Sequence, residues 1–190
     1  MTREMRKITN IELGRPTVEE FAAAEKLPVA VVLDNVRSAG NVGSFFRTCD
    51  AFGIGEIVLC GICATPPSKE IHKTALGAEQ PVAWRHFATT TEAIEALHAE
   101  GYTVLAIEQV EGAEMLGEAA LAERTPLALV FGNEEAHGVC LANGIDIINT
   151  RNLRNKLIFK TLYIFSSREK KAKMVSFSSG TNIITSSSVD

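Results

Sequence analysis

The sequence lacks a long apolar run. Its longest ones, such as residues 28–33 and 126–131, fall far short of the ~20 residues of a membrane-spanning helix. No apolar stretch follows the charged residues at positions 3–7, so the sequence predicts neither a secretory signal nor a membrane partner. Cysteines are few, at positions 49, 60, 63 and 140. In a chain without a predicted signal, they indicate reduced thiols and a cytoplasmic protein.

Two common glycine-rich phosphate motifs, GxGxxG and GxxxxGK[ST], are also absent, so a nicotinamide or P-loop function has no support. The four histidines show no spacing that is typical of metal ligands. Cys60 and Cys63 form a lone C-x-x-C pair, whereas a zinc site needs four ligands. We therefore expect no metal, and we interpret the pair as small buried cysteines at a strand end.

Charge and composition divide the chain into two parts. Residues 1–139 carry 11 Lys and Arg against 20 Asp and Glu, a net charge of −9, whereas residues 140–190 carry 8 against 3, a net charge of +5. Alanine falls from 21 to 2 across the same boundary, while serine rises from 3 to 8. The sequence thus predicts one domain over residues 1–139 and an atypical, basic, Ser/Asn-rich segment over 140–190.

The first part alternates strand-like and helix-like segments. Segments of strand length lie at 28–33, 56–60, 102–107 and 127–131. The run at 28–33 lacks polar alternation, which is typical of a strand buried on both faces of a parallel sheet. Capping boxes at Thr17–Glu20 and Thr89–Glu92 mark two helix starts. These patterns predict an α/β fold with a mostly parallel sheet flanked by helices.

The most informative stretch is the polar, glycine-bearing loop at 34–41 between a buried strand and a helix. Ligands of open α/β sheets bind at the carboxyl ends of strands, where such loops lie. Helix-start N–H groups and the Arg47 guanidinium suit a phosphate. A plain polar turn followed by a solvated helical arginine fits the same pattern.

Three further segments have two interpretations each. In the segment FGNEEAHG at 131–138, Gly132 after the strand lets the backbone approach a ligand. The carboxylates of the same segment also simply favour a helix start. Lys69 and Lys73 could contact a phosphodiester backbone or lie on a solvated helical turn. The basic stretch at 151–173 fits an RNA-binding arm or an incidental charge run.

In combination these segments resemble a known family. NVGSFFRTCDAFG at 41–53 resembles the first motif of the SpoU/TrmH-type RNA 2′-O-ribose methyltransferases of the SPOUT superfamily, and LVFGNEEAHG at 129–138 resembles their second motif. The order of the two motifs and the distance between them also fit. The resemblance covers roughly residues 28–139.

The resemblance implies an α/β fold whose C-terminal segment threads a loop to form a trefoil knot, an exception to the rule against threaded chains. It also implies S-adenosylmethionine as cofactor, homodimers with composite sites, and methyl transfer to a ribose 2′-hydroxyl of tRNA or rRNA. The expected catalytic residues are Arg47, Asn41 and Glu134. The expected cofactor-binding residues are Ile107, Gly132 and Asn133. The expected RNA-binding residues are Arg37, Lys69 and Lys73.

Methyl transfer to a ribose hydroxyl needs in-line positioning and stabilisation of the developing alkoxide. Because the pKa of an arginine lies above ~12, Arg47 does not suit the role of base. We interpret it as a phosphate anchor and alkoxide stabiliser.

Residues 140–190 depart from the family, since its third motif, an SLNVS-like stretch, has no recognisable counterpart there. That motif supplies cofactor contacts, knot threading and much of the dimer interface. A non-catalytic RNA-binding remnant is therefore the second hypothesis, and a plain α/β interaction domain is the third.

Overall fold

A computed structural model describes residues 6, 12, 14, 17–115, 121–132, 143–149, 175–178 and 181–184. Seven strands form the main sheet: β1 (Leu27–Asp34), β2 (Ile54–Cys60), β3 (Ala83–Phe87), β4 (Thr103–Glu108), β5 (Glu114–Met115), β6 (Leu127–Gly132) and β7 (Asp146–Asn149). All neighbouring strands of this sheet are parallel. With the helices that flank it, the sheet confirms the predicted α/β class.

The helices in the described part are α1 (Val18–Ala23), α2 (Ala39–Phe52), α3 (Lys69–Ala75), α4 (Thr90–Ala99) and a short 3₁₀ turn (Leu121–Glu123). Both predicted capping boxes are present, at the starts of α1 and α4. The start of α2 differs from the expectation. Ser38 is its N-cap and accepts a hydrogen bond from the backbone of Asn41, so Asn41 lies in the first helical turn rather than before the helix.

The strand order is β3-β2-β1-β6-β4-β7-β5, so β6 lies between β1 and β4. Side chains of β1 alternate between two cores. Val31 and Leu33 pack in the cluster that contains the α2 and α3 side chains, whereas Ala30 and Val32 pack in the cluster that contains the α4 side chains. Burial on both faces explains why this strand has no polar alternation.

The part after residue 139 is described only in short pieces. β7 lies between β4 and β5, although residues 109–113 alone connect those two strands in sequence. Two further strands, β8 (Val175–Ser178) and β9 (Thr181–Ile184), pair antiparallel. The basic stretch at 151–173 lies outside the described residues, so the predicted knot is not tested.

None of the helices in the described ranges has both the length and the apolar character that a membrane crossing requires.

Candidate functional site

The strand that leads into the first motif and the strand of the second motif end side by side at the carboxyl edge of the sheet. Asp34, the last residue of β1, pairs with Gly132, the last residue of β6. A side chain at Gly132 would overlap the Asp34 carbonyl oxygen and Cβ. The glycine is therefore required for this close approach of the two strand ends.

An aromatic contact joins the two motif segments. The rings of Phe45 on α2 and Phe131 on β6 lie 5.4 Å apart, centroid to centroid, at an interplanar angle of 54°. This tilted arrangement suits the quadrupoles of two aromatic rings. The contact fixes α2 against the strand that ends in Gly132.

Asn41 and Arg47 both lie exposed on α2. They are six residues apart, which in an α-helix amounts to about 9 Å along the axis and about 120° around it. Within one chain the two side chains therefore start from different sides of the helix. Glu134, the third predicted catalytic residue, lies outside the described residues.

Ile107 lies on β4 and is buried, with 5% of its surface exposed. Two residues beyond the end of β4, an open cleft of about 460 Å³ begins. It is lined by Val110, Glu111, Gly112, Ala113, Glu114, Ile145, Asp146 and Ile147. A volume of this size is in the range of small-molecule sites. Asn133, which follows Gly132, lies outside the described residues.

The predicted RNA-binding side chains are all exposed. Arg37 lies in the loop before α2, and Lys69 and Lys73 lie on α3. α3 packs against the start of α2, where the Thr74 hydroxyl donates a hydrogen bond to the Gly40 carbonyl oxygen at 2.9 Å. The two lysines therefore lie on α3, which contacts α2, the helix that carries the first motif.

Sequence reasoning missed a buried polar cluster where β1 passes into the loop before α2. The Asp34 side chain is 2% exposed and accepts hydrogen bonds from the Asn35 amide at 2.7 Å and from the Thr90 hydroxyl at the start of α4. Asn35 has a φ of +52°, a conformation that asparagine tolerates better than most residues. An Asp-Asn pair directly after a buried strand was the available signal.

The thiols beside this cluster are poor nucleophiles. Burial raises the pKa of the Cys60 thiol to about 12, against the opposing effect of a hydrogen bond with Thr90. Burial also raises the pKa of Cys63. Both cysteines are buried, as the sequence predicted, and the described residues contain no cluster of metal-ligating side chains.

Comparison with known proteins assigns a family to this arrangement. Residues 28–139 match the model of the SpoU rRNA Methylase family. A Staphylococcus haemolyticus protein, assigned by name to the TrmH family of tRNA/rRNA methyltransferases, is 29% identical over 110 residues, which are 58% of this chain and 43% of that protein. The 23S rRNA (guanosine-2′-O-)-methyltransferase RlmB of Vibrio parahaemolyticus is 25% identical over 128 residues, 65% of this chain and 49% of that enzyme. The chain spans about half the length of these curated relatives.

Solved structures show the same fold. The rRNA methyltransferase of Sinorhizobium meliloti, crystallised with AdoMet bound, superposes with a TM-score of 0.60 and 26% identity, covering 76% of this chain and 57% of that one. The TrmH/SpoU tRNA modifying enzyme of A. aeolicus superposes with the same TM-score at 17% identity, covering 78% and 77%.

Proposed function

Because the chain belongs to the SpoU rRNA methylase family, we propose that it transfers a methyl group from S-adenosylmethionine to a ribose 2′-hydroxyl of tRNA or rRNA. The observation that carries this proposal is the contact of the two motif segments through the rings of Phe45 and Phe131, beside the pairing of Asp34, seven residues before the first motif, with Gly132 of the second. Each motif alone fits a plain structural interpretation, whereas their convergence at the carboxyl edge matches the place where α/β folds bind ligands.

Two features support a cofactor site at this edge, and the cleft among them is lined by residues of 110–114 and 145–147, not by Ile107 or Gly132 themselves. Gly132 ends β6 with its backbone exposed, and the cleft of about 460 Å³ opens just beyond β4, on which Ile107 lies. We assign Ile107, Gly132 and the following Asn133 to cofactor binding. When bound, S-adenosylmethionine would supply a methyl group on a sulfonium to a hydroxyl attacking in line, with the carbon–sulfur bond broken, the neutral thioether S-adenosylhomocysteine as leaving group, and the hydroxyl proton released to solvent.

Arg47 and Asn41 are proposed to act on the RNA. The Arg47 guanidinium is exposed on α2, and its N–H donors anchor a phosphate and stabilise the negative charge that develops on the attacking oxygen. Asn41 orients the ribose, and Glu134 completes the catalytic set. Since Asn41 and Arg47 point to different sides of α2, we propose that two copies of the chain form each site as a homodimer.

RNA is proposed to lie across Arg37, Lys69 and Lys73. All three are exposed, and α3 with its two lysines packs against the helix that carries Arg47. Such cations bind phosphates regardless of base. They therefore position the substrate, while the catalytic residues act on the ribose.

Methyl incorporation tests the reaction directly. The full chain is incubated with methyl-labelled S-adenosylmethionine and unmodified tRNA or rRNA, and the RNA is digested to nucleosides for mass spectrometry. We expect label on the ribose of a 2′-O-methyl nucleoside. Label on a base would contradict the proposed reaction.

Arg47→Ala should lower kcat by about a hundredfold or more, because the stabilisation of developing charge is lost. Binding of S-adenosylmethionine, measured by calorimetry, should stay unchanged. Lys26→Ala is the control, because it removes a cation just before β1 starts, at the opposite edge of the sheet. It also removes contacts with the carbonyl oxygen and ring of Phe21, so its thermal unfolding is followed in parallel. Equal turnover of Arg47→Ala and the wild type would overturn the role of Arg47.

A non-catalytic RNA-binding remnant of the family is the second candidate. It is favoured by the end of the family match at residue 139, where the composition also changes. Binding of RNA that weakens steeply with salt, together with no calorimetric signal for S-adenosylmethionine, would support this candidate over the enzyme.

A further inference from the structure

The turn after β2 makes four hydrogen bonds to the end of β1 and to the loop at 34–38 that leads into α2. Cys63 accepts one from the Val36 backbone at 3.1 Å and donates one to the Leu33 carbonyl oxygen at 3.2 Å. The remaining two involve Asn35. Its side-chain oxygen accepts from the Ile62 backbone at 3.2 Å, and its backbone donates to the Cys60 carbonyl oxygen at 3.3 Å. The turn at 60–63 therefore holds the loop in place, and we call these four residues the socket.

The fit between socket and loop is tight. Gly61 has a φ of +59°, and a side chain there would overlap the side-chain amide of Asn35. Asn35 in turn donates its amide hydrogen to the buried Asp34 carboxylate. Two residues in left-handed conformations thus face each other with no room for a larger group.

The Cys63 thiol forms hydrogen bonds both with the end of β1 and with the loop that leads into α2. Leu33 is still within β1, whereas Val36 lies three residues before α2 begins at Ala39. Only a protonated thiol can donate to one and accept from the other, and burial keeps Cys63 protonated by raising its pKa. The direction in which the chain leaves β1, and hence the start of the helix with Asn41 and Arg47, depends on this link.

We infer that Cys63 is a positioning residue, which holds the loop at 34–38 so that α2 presents Asn41 and Arg47 to the substrate. A buried cysteine is often only a small apolar side chain. The two hydrogen bonds of Cys63, one to the end of β1 and one to the loop, distinguish it from Cys49, which is also fully buried but lies within α2. The inference about the loop stands on its own contacts, and its catalytic consequence rests on the proposed function.

The exposed Arg37 provides a direct readout of the loop. Trypsin cleaves after arginine, and cleavage at Arg37 requires the loop to open locally. In Cys63→Ala, both thiol hydrogen bonds are lost, and we expect cleavage at Arg37 to be about fivefold faster than in the wild type. Cys63→Ser keeps a donor and acceptor at the same place and should restore a rate within about twofold of the wild type.

Two further variants make the experiment decisive. Cys49→Ala makes the same chemical change at a buried cysteine outside the socket, so cleavage at Arg37 should keep the wild-type rate. Asn35→Gly tolerates the positive φ but removes the side-chain bonds from the loop side, and it should accelerate cleavage even if Cys63→Ala fails to fold. Cleavage fragments are identified by mass spectrometry, and thermal unfolding is followed in parallel.

The catalytic consequence is read from methyl transfer by the same variants. For Cys63→Ala we expect kcat to fall about fivefold with an RNA KM within about twofold of the wild type, and Cys63→Ser to restore kcat. Equal cleavage at Arg37 in Cys63→Ala and Cys49→Ala would overturn the inference, whatever the activity. A wild type that transfers no methyl group would overturn the proposed function, while the cleavage rates would still decide the role of Cys63.

Discussion

At the scale of single residues, Glu79 is a carboxylate on which burial and hydrogen bonding act in opposite directions. Its side chain is 10% exposed, and its Oε1 lies 2.5 Å from the His72 Nδ1. Its Oε2 is buried without a hydrogen-bond partner. Burial works to raise the pKa of Glu79, but the hydrogen bond with His72 and the nearby backbone amides of Glu79 and Gly77 together lower it. The ionised form is thus the one that the fold stabilises.

The lowered pKa of Glu79 determines in which direction the stability of the fold changes with pH. The carboxylate contributes fully above the pKa of an ordinary glutamate, near ~4.3, and the contribution is lost as the pH falls through the lower folded-state pKa. Glu79→Gln should therefore lower the free energy of unfolding by about 1 kcal/mol at pH 7. The difference from the wild type should shrink below pH ~4.

Urea unfolding of both chains between pH 7 and pH ~3 measures this effect. Glu95→Gln, which changes an exposed carboxylate on α4, is the control and should shift stability by no more than about 0.5 kcal/mol. A loss in Glu79→Gln that stays constant over the whole pH range would show that ionisation of Glu79 contributes nothing.

Single residues also show which features of the structure could be predicted from the sequence. Burial of Cys60, Cys63 and Ile107 was predictable because each lies in or next to an apolar strand. The roles of Asn35 and Cys63 at the loop were not predictable, since they depend on contacts between residues about 27 positions apart. The assignments of Arg47, Asn41 and Glu134 stay predictions that the proposed variants test.

At the scale of elements, the contact between α2 and α3 depends on one glycine. A side chain at Gly43 would overlap the Thr74 hydroxyl and the Ile71 carbonyl oxygen, whereas one at Gly40 has its nearest neighbours at 3.7 and 3.8 Å. Gly43→Ala should destabilise the fold by about 1–3 kcal/mol through overpacking, less the ~1 kcal/mol that alanine gains in a helix. The midpoint of urea unfolding measures the change.

Gly40→Ala is the matched control, because it makes the same substitution on the same helix where there is room. It should leave stability unchanged or raise it by up to about 1 kcal/mol. If both variants unfolded at the same urea concentration, the close approach of α3 to α2 at Gly43 would be refuted.

Element prediction succeeded where the signal is local. The two capping boxes placed the starts of α1 and α4 correctly because an N-cap satisfies backbone donors within four residues. β3 and β7 were missed. Most β3 residues are exposed or half-buried at the sheet edge, so the strand lacks the apolar run of a central strand. β7 is short and lies in a stretch rich in Asn and Ile.

At the scale of the whole molecule, the parallel sheet was predictable but the strand order was not. Alternation of strands and helices indicates parallel strands. The insertion of β6 between β1 and β4 brings residues almost 100 positions apart into register, Asp34 with Gly132 among them. No local pattern encodes such a pairing. The resemblance predicted only that the two motif segments belong to one site, and neither the strand order nor the register followed from it.

The charge of residues 1–139 bears on how they bind RNA. Their net charge of −9 argues against a strong general attraction to phosphates, so we expect binding by this part of the chain to come from a local patch. We expect Lys69→Ala combined with Lys73→Ala to flatten the slope of log K for RNA against log salt concentration. Each lost phosphate contact is worth about 0.7–0.9 of that slope, so the double variant should lose about 1.4–1.8.

Filter binding or fluorescence anisotropy over a range of salt concentrations gives the slope. Lys26→Ala is the control, because it removes a cation at the opposite edge of the sheet and should leave the slope unchanged. If the double variant kept the wild-type slope, RNA would not lie across α3. If Lys26→Ala lost as much as the double variant, the attraction would be spread over the molecule, and the acidic body of the chain would not confine RNA to one patch.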